Sequence, residues 1–264
     1  VAYPIVSSYY TERHQSQVHT QYQEVVEKAD GKELDTARAE AEAYNELLAS
    51  GATAAELDTL DYDSLLNLAG NGIMGYIEIP AIDVLLPICH GVGEDSLERG
   101  AGHMPTTSLP IGGRGTHTVI SAHSGMATAR MFTDLEQLEA GDVFYLHVLN
   151  EALSYEVDQI LVVKPYQIDA LKIDRGQDYV TLITCTPYGV NSHRLLVRGH
   201  RIKPEAEENA FNEIASLQAE PKQSTWMDKY WEGIRDGLIL FLIAIPAWPA
   251  IMLLVKKRRG RKQP

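Results

Sequence analysis

The amino-acid sequence predicts a mainly β protein, with a closed or nearly closed β-barrel, helices before the barrel and one transmembrane helix after it. Three observations support this prediction. Residues 73–203 contain about seven or eight apolar segments of strand length and little helical pattern. Residues 12–49 are polar and rich in Ala, Glu, Gln and Lys, whereas residues 237–255 carry no charge. A chain of 264 residues is long enough for one large domain with such appendages.

The N-terminal region, residues 1–49, is predicted to contain one or two helices. Apolar residues recur there at loose helical spacing, and the pattern is interrupted near Asp30-Gly31. We expect these helices to pack one face on the main body and to carry no chemistry. Residues 50–72 follow as an acidic connector that is bounded by glycine.

The β-barrel is predicted to occupy residues 73–203. Its strands are marked by β-branched residues and alternation, with Pro80 and Pro87 as breaks between the first ones. The segments interpreted as strands are MGYIEIPAIDVLLPI, GTHTVISAH, VFYLHVL, ALSYEVDQILVVK, DYVTLITC and HRLLVRGHRIK.

A short helix is predicted within the barrel region, over residues 129–142. Met131, Leu135 and Leu138 would share one helical face, and Gly141 would end the helix.

The C-terminal region is predicted to anchor the protein in a membrane. Residues 204–236 form an acidic stalk, and the uncharged run 237–255 is long enough to cross a hydrocarbon core of ~30 Å as a helix. The basic tail, residues 256–264, begins with KKRR, and clustered Lys and Arg mark the cytoplasmic side. A buried core helix is the alternative, which the length and the flanking charges disfavour. The part of the chain before this span is therefore predicted to be extracellular, on the cell membrane.

The charge of the chain argues against nucleic-acid binding. The formal net charge is −13, and the last nine residues hold six of the 23 basic groups and no acid. The rest of the chain therefore sets 17 basic groups against 36 acidic ones, whereas a nucleic-acid surface needs a basic footprint.

The start of the chain, VAYPIVSSYY, shows no signal peptide. Because an exported body needs such a signal, we expect an N-terminal signal or membrane segment to have been removed.

The chain has two cysteines, Cys89 and Cys185, which outside the cytoplasm could form one disulfide. Their spacing does not suggest a disulfide framework. Cys89 is interpreted as a small apolar residue at a strand end, and the alternative is a redox partner that masks Cys185.

Cys185 is the strongest candidate for chemistry. It ends the apolar strand YVTLIT and precedes the turn-rich loop TPYGVN, where a side chain is both rigidly placed and accessible. A nucleophilic cysteine must reach the thiolate form, but a free thiol has a pKa near ~8.5, so a positive charge or a proton acceptor is needed. Arg194, nine positions later, could return on the neighbouring strand and supply that charge.

Among nine histidines, His123 is the best candidate for the proton acceptor. It ends the strand THTVISAH and precedes Ser124-Gly125, as Cys185 ends its own strand. His117 would share its face at the far end of the strand, since side chains alternate with a period of two. His147 lies in mid-strand, and His193 would point away from the face of Arg194.

These motifs resemble those of sortases, the membrane-anchored cysteine transpeptidases of Gram-positive bacteria. TLITC matches the T-L-x-T-C signature, and SAHSG and HRLLVRG match the other two catalytic elements. The segments MGYIEIPAIDVLLPI, FTDLEQLEAGDVFYLHV and TCTPYGVNSHRLLVRGHR look like the pilus-building class C branch. The resemblance covers nearly the whole chain and implies the sortase β-barrel.

The resemblance also implies roles for individual residues. Cys185 would attack the Thr–Gly carbonyl of an L-P-x-T-G-like sorting signal to give a thioester acyl-enzyme. His123 would act as general acid and base, and Arg194 would bind the substrate backbone or the oxyanion. Thr184, beside the nucleophile, is a candidate for lining the substrate site. The acceptor would be a lysine amine on the next pilin, and neither a cofactor nor a metal is implied.

One departure from the class C pattern concerns the connector. Many members carry an Asp-Pro-aromatic triplet in a lid before the barrel, but residues 50–72 contain no proline, and LDTLDYD is not that triplet. We therefore expect an active site that is open or only loosely shielded.

Four other functions stay open at this point. An L,D-type cell-wall transpeptidase would carry a His-Gly-Cys run near the nucleophile, which LITCTPYG lacks. A cysteine protease would use water as the acceptor. A sortase that anchors surface proteins to cell-wall peptide differs only in its acceptor. An inactive surface scaffold would have lost one of the three candidate residues.

Overall fold

The computed structural model describes residues 20–57, 59–125 and 131–202. The predicted stalk, membrane span and basic tail lie outside the described residues. None of the helices in the described part combines the length and apolar character that a membrane crossing requires.

Eight strands close into a barrel, which confirms the predicted fold class. Their order around the barrel is β1-β2-β3-β4-β7-β8-β6-β5. The strands are β1 (Ile73–Ile79), β2 (Val84–His90), β3 (Ala101–His103), β4 (Thr116–Ser121), β5 (Val143–Val148), β6 (Glu151–Val163), β7 (Asp178–Thr186) and β8 (His193–Arg201). Two neighbouring pairs, β2–β3 and β4–β7, are parallel, and the other pairs are antiparallel.

Helices precede the barrel, as predicted, and a short one lies between β2 and β3. The helices are α1 (20–28), α2 (Gly31–Ala49), α3 (Ala54–Leu57) and α4 (Glu94–Arg99). Single 3-10 turns lie at Tyr62–Ser64, Pro80–Ile82, Leu135–Gln137 and Asp169–Leu171. The break between α1 and α2 falls at the predicted position. Asp30 is the N-cap of α2, and its side chain accepts a hydrogen bond from the Glu33 amide, which satisfies one of the free donors of the first turn.

The N-terminal helices are fastened to the barrel by buried polar side chains. The Tyr22 hydroxyl donates to the Met74 carbonyl and accepts from the Leu149 amide, each at 2.9 Å, so α1 bridges the backbones of β1 and the turn after β5. On α2, the Asn45 amide pairs with both backbone groups of Leu109, at 2.7 and 3.2 Å. Both helices therefore pack one face on the body, as the sequence predicts.

The barrel strands are covered by apolar side chains on two sides. The main core inside the barrel includes Val180 and Leu182 of β7. A smaller cluster on the outer face contains Val119 of β4, Ile183 of β7 and Leu196 of β8. Side chains alternate between the two faces of a strand. A residue two positions from a member of this outer cluster, in the same strand, therefore also faces outward.

The predicted helix over 129–142 is wrong in its described part. Residues 131–134 form turns, and only Leu135–Gln137 has helical, 3-10 geometry. Met131, Leu135 and Leu138 are nevertheless all buried, so the apolar spacing reports burial rather than a continuous helix. The backbone is bonded to the barrel instead, since the Phe132 amide donates to the His123 carbonyl at 3.0 Å.

Pro87 is also not the break that the sequence predicts. It lies inside β2, opposite Tyr76 of β1. The parallel neighbour β3 pairs with β2 only from Ile88 onward. Pro87 therefore costs the sheet no hydrogen bond on that side, although proline has no N–H to donate. Pro80, by contrast, begins the turn between the two strands, as predicted.

Candidate active site

His123 and Cys185 lie at the same end of two adjacent strands. Strands β4 and β7 run parallel, and their last paired residues are Ser121 and Ile183. His123 and Cys185 each lie two residues farther along. Since Ile183 faces the outer cluster, the period of two places Cys185 on that outer face, and His123 follows the end of β4 at the same edge.

Arg194 joins them from the other side of β7. In the antiparallel register of β7 and β8, Arg194 is directly opposite Cys185, and Leu196 is opposite Ile183. Leu196 belongs to the outer cluster, so Arg194 shares the outward face. Its guanidinium donates through Nη1 to the carbonyls of His193 and Asn191, at 3.0 and 3.2 Å. The fold thus brings the three predicted residues to one edge of the barrel, at the ends of three adjacent strands.

Two hydroxyl groups connect the ends of β4 and β7. Thr184, which is only 4% exposed, donates through Oγ1 to the Ala122 carbonyl at 2.9 Å. Ser124 donates through Oγ to the Cys185 carbonyl at 2.7 Å. The Thr184 hydroxyl is therefore engaged with backbone in this structure, and its predicted contact with substrate stays a prediction.

The loops that follow the two strands approach each other beside the site. Tyr188, in the loop between β7 and β8, is 69% exposed and lies over Gly125. Gly125 has φ +77°, and a Cβ built there would lie 2.7 Å from the Tyr188 ring. Glycine is therefore required for both the backbone conformation and the approach of the ring.

The other wall of the site is the loop between β6 and β7, residues 164–177. Ala170 and Leu171 of this loop pack on the outer cluster. His117 fastens the loop, because its Nδ1 lies 3.0 Å from the Lys172 carbonyl and must donate to it, which leaves Nε2 to accept from Thr181 Oγ1 at 2.7 Å. Burial lowers the pKa of His117, which favours this neutral ring.

Two polar interactions support the strands below this wall. Arg198 on β8 forms two hydrogen bonds with the Asp158 carboxylate, at 2.9 and 3.0 Å. Its guanidinium also lies 4.2 Å from the centre of the Tyr179 ring, a cation–π distance.

The connector is bound on a different part of the barrel. The Tyr62 hydroxyl donates to His103 Nδ1 at 2.8 Å and accepts from the Gly91 amide at 3.1 Å. His90 places its ring nitrogens 2.7 Å from the Leu65 carbonyl and 3.1 Å from the Gly72 carbonyl. These bonds join residues 62–72 to β2 and β3.

Comparison with known proteins identifies the family of the chain. Residues 77–202 match the Sortase domain. The crystal structure of sortase C1 from Streptococcus agalactiae is 43% identical, with a TM-score of 0.67 over 71% of this chain and 98% of that one. The chain belongs to the sortase family. Sortases are cysteine transpeptidases, which is the enzyme class that the sequence predicts.

Two further sortase C structures concern a sorting motif and pilin substrates. A sortase C of Clostridium perfringens, solved with the C-terminal cell wall sorting motif, is 43% identical, with a TM-score of 0.63 over 71% of this chain and 99% of that one. Sortase C of Streptococcus pneumoniae, described with respect to catalysis and pilin substrate specificity, is 41% identical, with a TM-score of 0.62 over 71% and 97%.

Cys89 lies apart from the sortase site. It is opposite Gly102 of β3, which is opposite Ser121 of β4, so three strand spacings of ~4.8 Å separate it from β7. A disulfide requires Cα atoms within about 7 Å, so Cys89 cannot bond to Cys185 in this fold. Both thiols are free, and burial among Tyr22 and its neighbours raises the pKa of Cys89.

The residues that the sequence analysis missed support the site or other parts of the barrel and do not act as reacting groups. Ser124 stands in the quoted motif SAHSG, and a hydroxyl next to a candidate base is the signal that could have identified it. Tyr62 gave no such signal, because only the fold brings it to His103. Among the described residues, no group of three or more His, Cys, Asp or Glu is arranged to hold a metal ion.

Proposed function

We propose that this sortase cleaves an L-P-x-T-G-like sorting signal and joins the new carboxyl end to a lysine amine of a pilin subunit, so that pilins are polymerised. The observation that supports the proposal is the position of His123, Cys185 and Arg194 at one edge of the barrel, at the ends of three adjacent strands. The class C relatives, at 41–43% identity, support pilin as the substrate class.

The first half-reaction forms a thioester. The Cys185 thiolate attacks the threonine carbonyl, so an S–C bond forms and the carbonyl oxygen becomes an oxyanion. Arg194 stabilises this oxyanion, because it is the residue directly opposite Cys185 in the β7–β8 register and a guanidinium donates to a developing negative charge. The tetrahedral intermediate then collapses, the Thr–Gly C–N bond breaks, and His123 gives its proton to the leaving amine.

The second half-reaction forms the isopeptide bond. The lysine amine of the acceptor attacks the thioester carbonyl while neutral His123 takes a proton from it. The C–S bond breaks and the thiolate of Cys185 is regenerated, so the enzyme returns to its starting state. Only residues of the chain and the two substrates take part, and no cofactor enters the scheme.

The experiment that tests the function uses the full chain in detergent, incubated with candidate pilins. We expect high-mass ladders that resist boiling in denaturant, and we expect them to vanish with Cys185→Ala. Cys89→Ala is the matched control and should keep the ladders, since Cys89 lies in a separate buried cluster. Adducts to cell-wall peptide without ladders would instead identify an anchoring sortase, and hydrolysis without either adduct would identify a protease.

We also propose that the connector leaves the active site accessible. Its hydrogen bonds run to β2 and β3, and it lacks the Asp-Pro-aromatic triplet. Alkylation of Cys185 should therefore be at least as fast in the folded enzyme as in the denatured chain at the same pH. Strong protection that is lifted by denaturant would contradict this proposal.

Finally, we propose that residues 237–255 anchor the enzyme with its body outside the cytoplasm. The uncharged length and the basic residues that follow support this orientation. Protease added to intact cells, after removal of the wall, should digest the body and spare the tail. Protection of the body would contradict the orientation.

A further inference from the structure

The backbone ladder between β4 and β7 stops just before the catalytic edge. Its last backbone bond runs from the Ala122 amide to the Ile183 carbonyl, at 3.1 Å. In an uninterrupted parallel ladder, the carbonyls of Ala122 and Cys185 would next accept from the amides of Cys185 and Ser124. In the described structure the bonds that these carbonyls accept come instead from two side chains, the hydroxyls of Thr184 and Ser124.

These two hydroxyls lie on either side of the reacting pair. Thr184 precedes Cys185 and donates to Ala122, the residue that precedes His123. Ser124 follows His123 and donates to the carbonyl of Cys185 itself. Each bond therefore joins a hydroxyl next to one candidate reacting residue to a backbone carbonyl at or next to the other.

The strength of these bonds matters less than the geometry that they set. A hydroxyl–carbonyl bond contributes about 1 kcal/mol to stability. A displacement of about 1 Å between reacting groups can lower a rate by about 100-fold. Beyond the Ala122–Ile183 bond, no backbone–backbone hydrogen bond in the described structure joins the His123 segment to β7, so the two hydroxyl bonds are what remains to join them.

We propose that Ser124 and Thr184 are positioning residues, whose hydroxyls hold His123 and Cys185 at their working separation after the backbone ladder has ended. The proposal rests on the cysteine transpeptidase function proposed above. It assigns Thr184 an action through the Ala122 carbonyl in place of the substrate contact that the sequence predicts.

The test measures kcat and KM for cleavage of a sorting-signal peptide by the full chain. Ser124→Ala and Thr184→Val each remove one hydroxyl, and each should lower kcat by about 10-fold while KM stays within about twofold. Ser124→Thr and Thr184→Ser keep a hydroxyl and should recover kcat to within about twofold of the parent.

A second readout follows the reacting pair directly. The rate of Cys185 alkylation against pH reports how the imidazole of His123 influences the thiol. The profile of Ser124→Ala should shift relative to the parent, and that of Ser124→Thr should return to it. A residue that merely stabilises the fold would leave the profile unchanged.

Two matched controls lose comparable hydroxyl–carbonyl bonds away from the site. The Ser96 hydroxyl donates to the His90 carbonyl at 2.6 Å, and the Thr118 hydroxyl donates to the Leu109 carbonyl at 3.2 Å. Ser96→Ala and Thr118→Val should lower the thermal midpoint about as much as the test variants, with kcat within about twofold of the parent.

Two results would overturn the proposal. One is an unchanged kcat and pH profile in folded Ser124→Ala. The other is a higher KM with an unchanged kcat, which would mean that the hydroxyls contact substrate. If Thr184→Val does not fold, Ser124→Ala carries the test. Failure of the proposed function is recognised separately, because Cys185→Ala would then keep the activity.

Discussion

The two ends of the β4–β7 strand pair are built differently. At the starting end, the Asp178 carboxylate accepts hydrogen bonds from the Gly113 amide at 2.8 Å, the Tyr155 hydroxyl at 3.0 Å and the Thr116 hydroxyl at 3.3 Å. At the end that carries the candidate residues, the strands are joined past Ser121 in the described structure by one backbone bond and two hydroxyl–carbonyl bonds, and the exposed Tyr188 lies over Gly125. The comparison suggests that the starting end supplies stability and the catalytic end supplies reactivity.

Arg194→Lys should separate activity from stability most clearly. Lysine cannot reproduce the planar, multiply donating guanidinium, so kcat/KM for peptide cleavage should fall by about 100-fold. The thermal midpoint should stay close to that of the parent, because Arg194 is only half-buried. Arg198→Lys, on the same face of the same strand, is the control and should keep kcat/KM within about twofold. Equal losses in the two variants would remove the distinction.

Asp178→Ala should lower stability and leave activity nearly unchanged, the opposite of Arg194→Lys. It leaves the buried Tyr155 hydroxyl and the Gly113 amide without their acceptor, so the free energy of unfolding should fall by about 3 kcal/mol, as measured in denaturant. The kcat of the folded fraction should be nearly unchanged. Glu136→Ala removes an exposed carboxylate and should change stability by less than about 0.5 kcal/mol. A large loss of kcat would show that the starting end also tunes the site.

The buried His103, which accepts a hydrogen bond from Tyr62 of the connector, gives a prediction for the pH dependence of stability. Burial lowers the pKa of His103 from 6.5 to about 4, so the ring stays neutral in the folded protein while it gains a proton in the unfolded chain. Its stabilising effect is therefore complete above pH ~6.5 and is lost as the pH falls toward ~4, with a loss of about 2 kcal/mol by pH 5.

The control for this prediction is His103→Gln, which keeps a donor toward the Ser108 carbonyl. Because other groups titrate in the same range, the measurement is the difference between parent and variant in thermal midpoint from pH 7 to pH 5. That difference should shrink as the pH falls. A difference that does not depend on pH would contradict a neutral, buried His103.

The smallest effect is expected from Gly125→Ala at the catalytic end. The new Cβ would displace the Tyr188 ring, but an exposed ring can move, so we expect KM to rise by only about two- to threefold. Adding Tyr188→Ala should abolish that increase. Gly141→Ala is the control, since it shares the positive φ but has no atom within 4 Å of the new Cβ. A change in kcat of more than about tenfold would mean that this loop acts on the chemistry itself.

The sequence predicts the barrel well because each strand carries its own alternating or apolar pattern. It does not predict β3, since the three residues Ala101–His103 are too short to show a period. It misidentifies 129–142, where the burial of Met131, Leu135 and Leu138 imitates a helical face. Tertiary contacts decide that segment, and they leave no mark on the local sequence.

The candidate site shows the same division. His123, Cys185 and Arg194 are found from their positions at strand ends, and the fold brings them to one edge as that placement requires. The bond of Ser124 at the site, and those of Tyr62 and Asp178 elsewhere on the barrel, could not be found in this way. Each joins elements that are distant in the chain, so the partner is unknown until the strand order is known.

The parallel arrangement of β4 and β7 has a consequence for how such an enzyme can diversify. Because β4 and β7 are parallel, each continues into its own loop at the same edge of the barrel. The two strands are therefore not joined to each other by a hairpin. Natural or engineered insertions in the loop after one strand can therefore change one side of the candidate site while the loop after the other strand keeps its conformation. A graft of either loop from a relative should redirect which polypeptides are accepted, with the chemistry of bond exchange left in place.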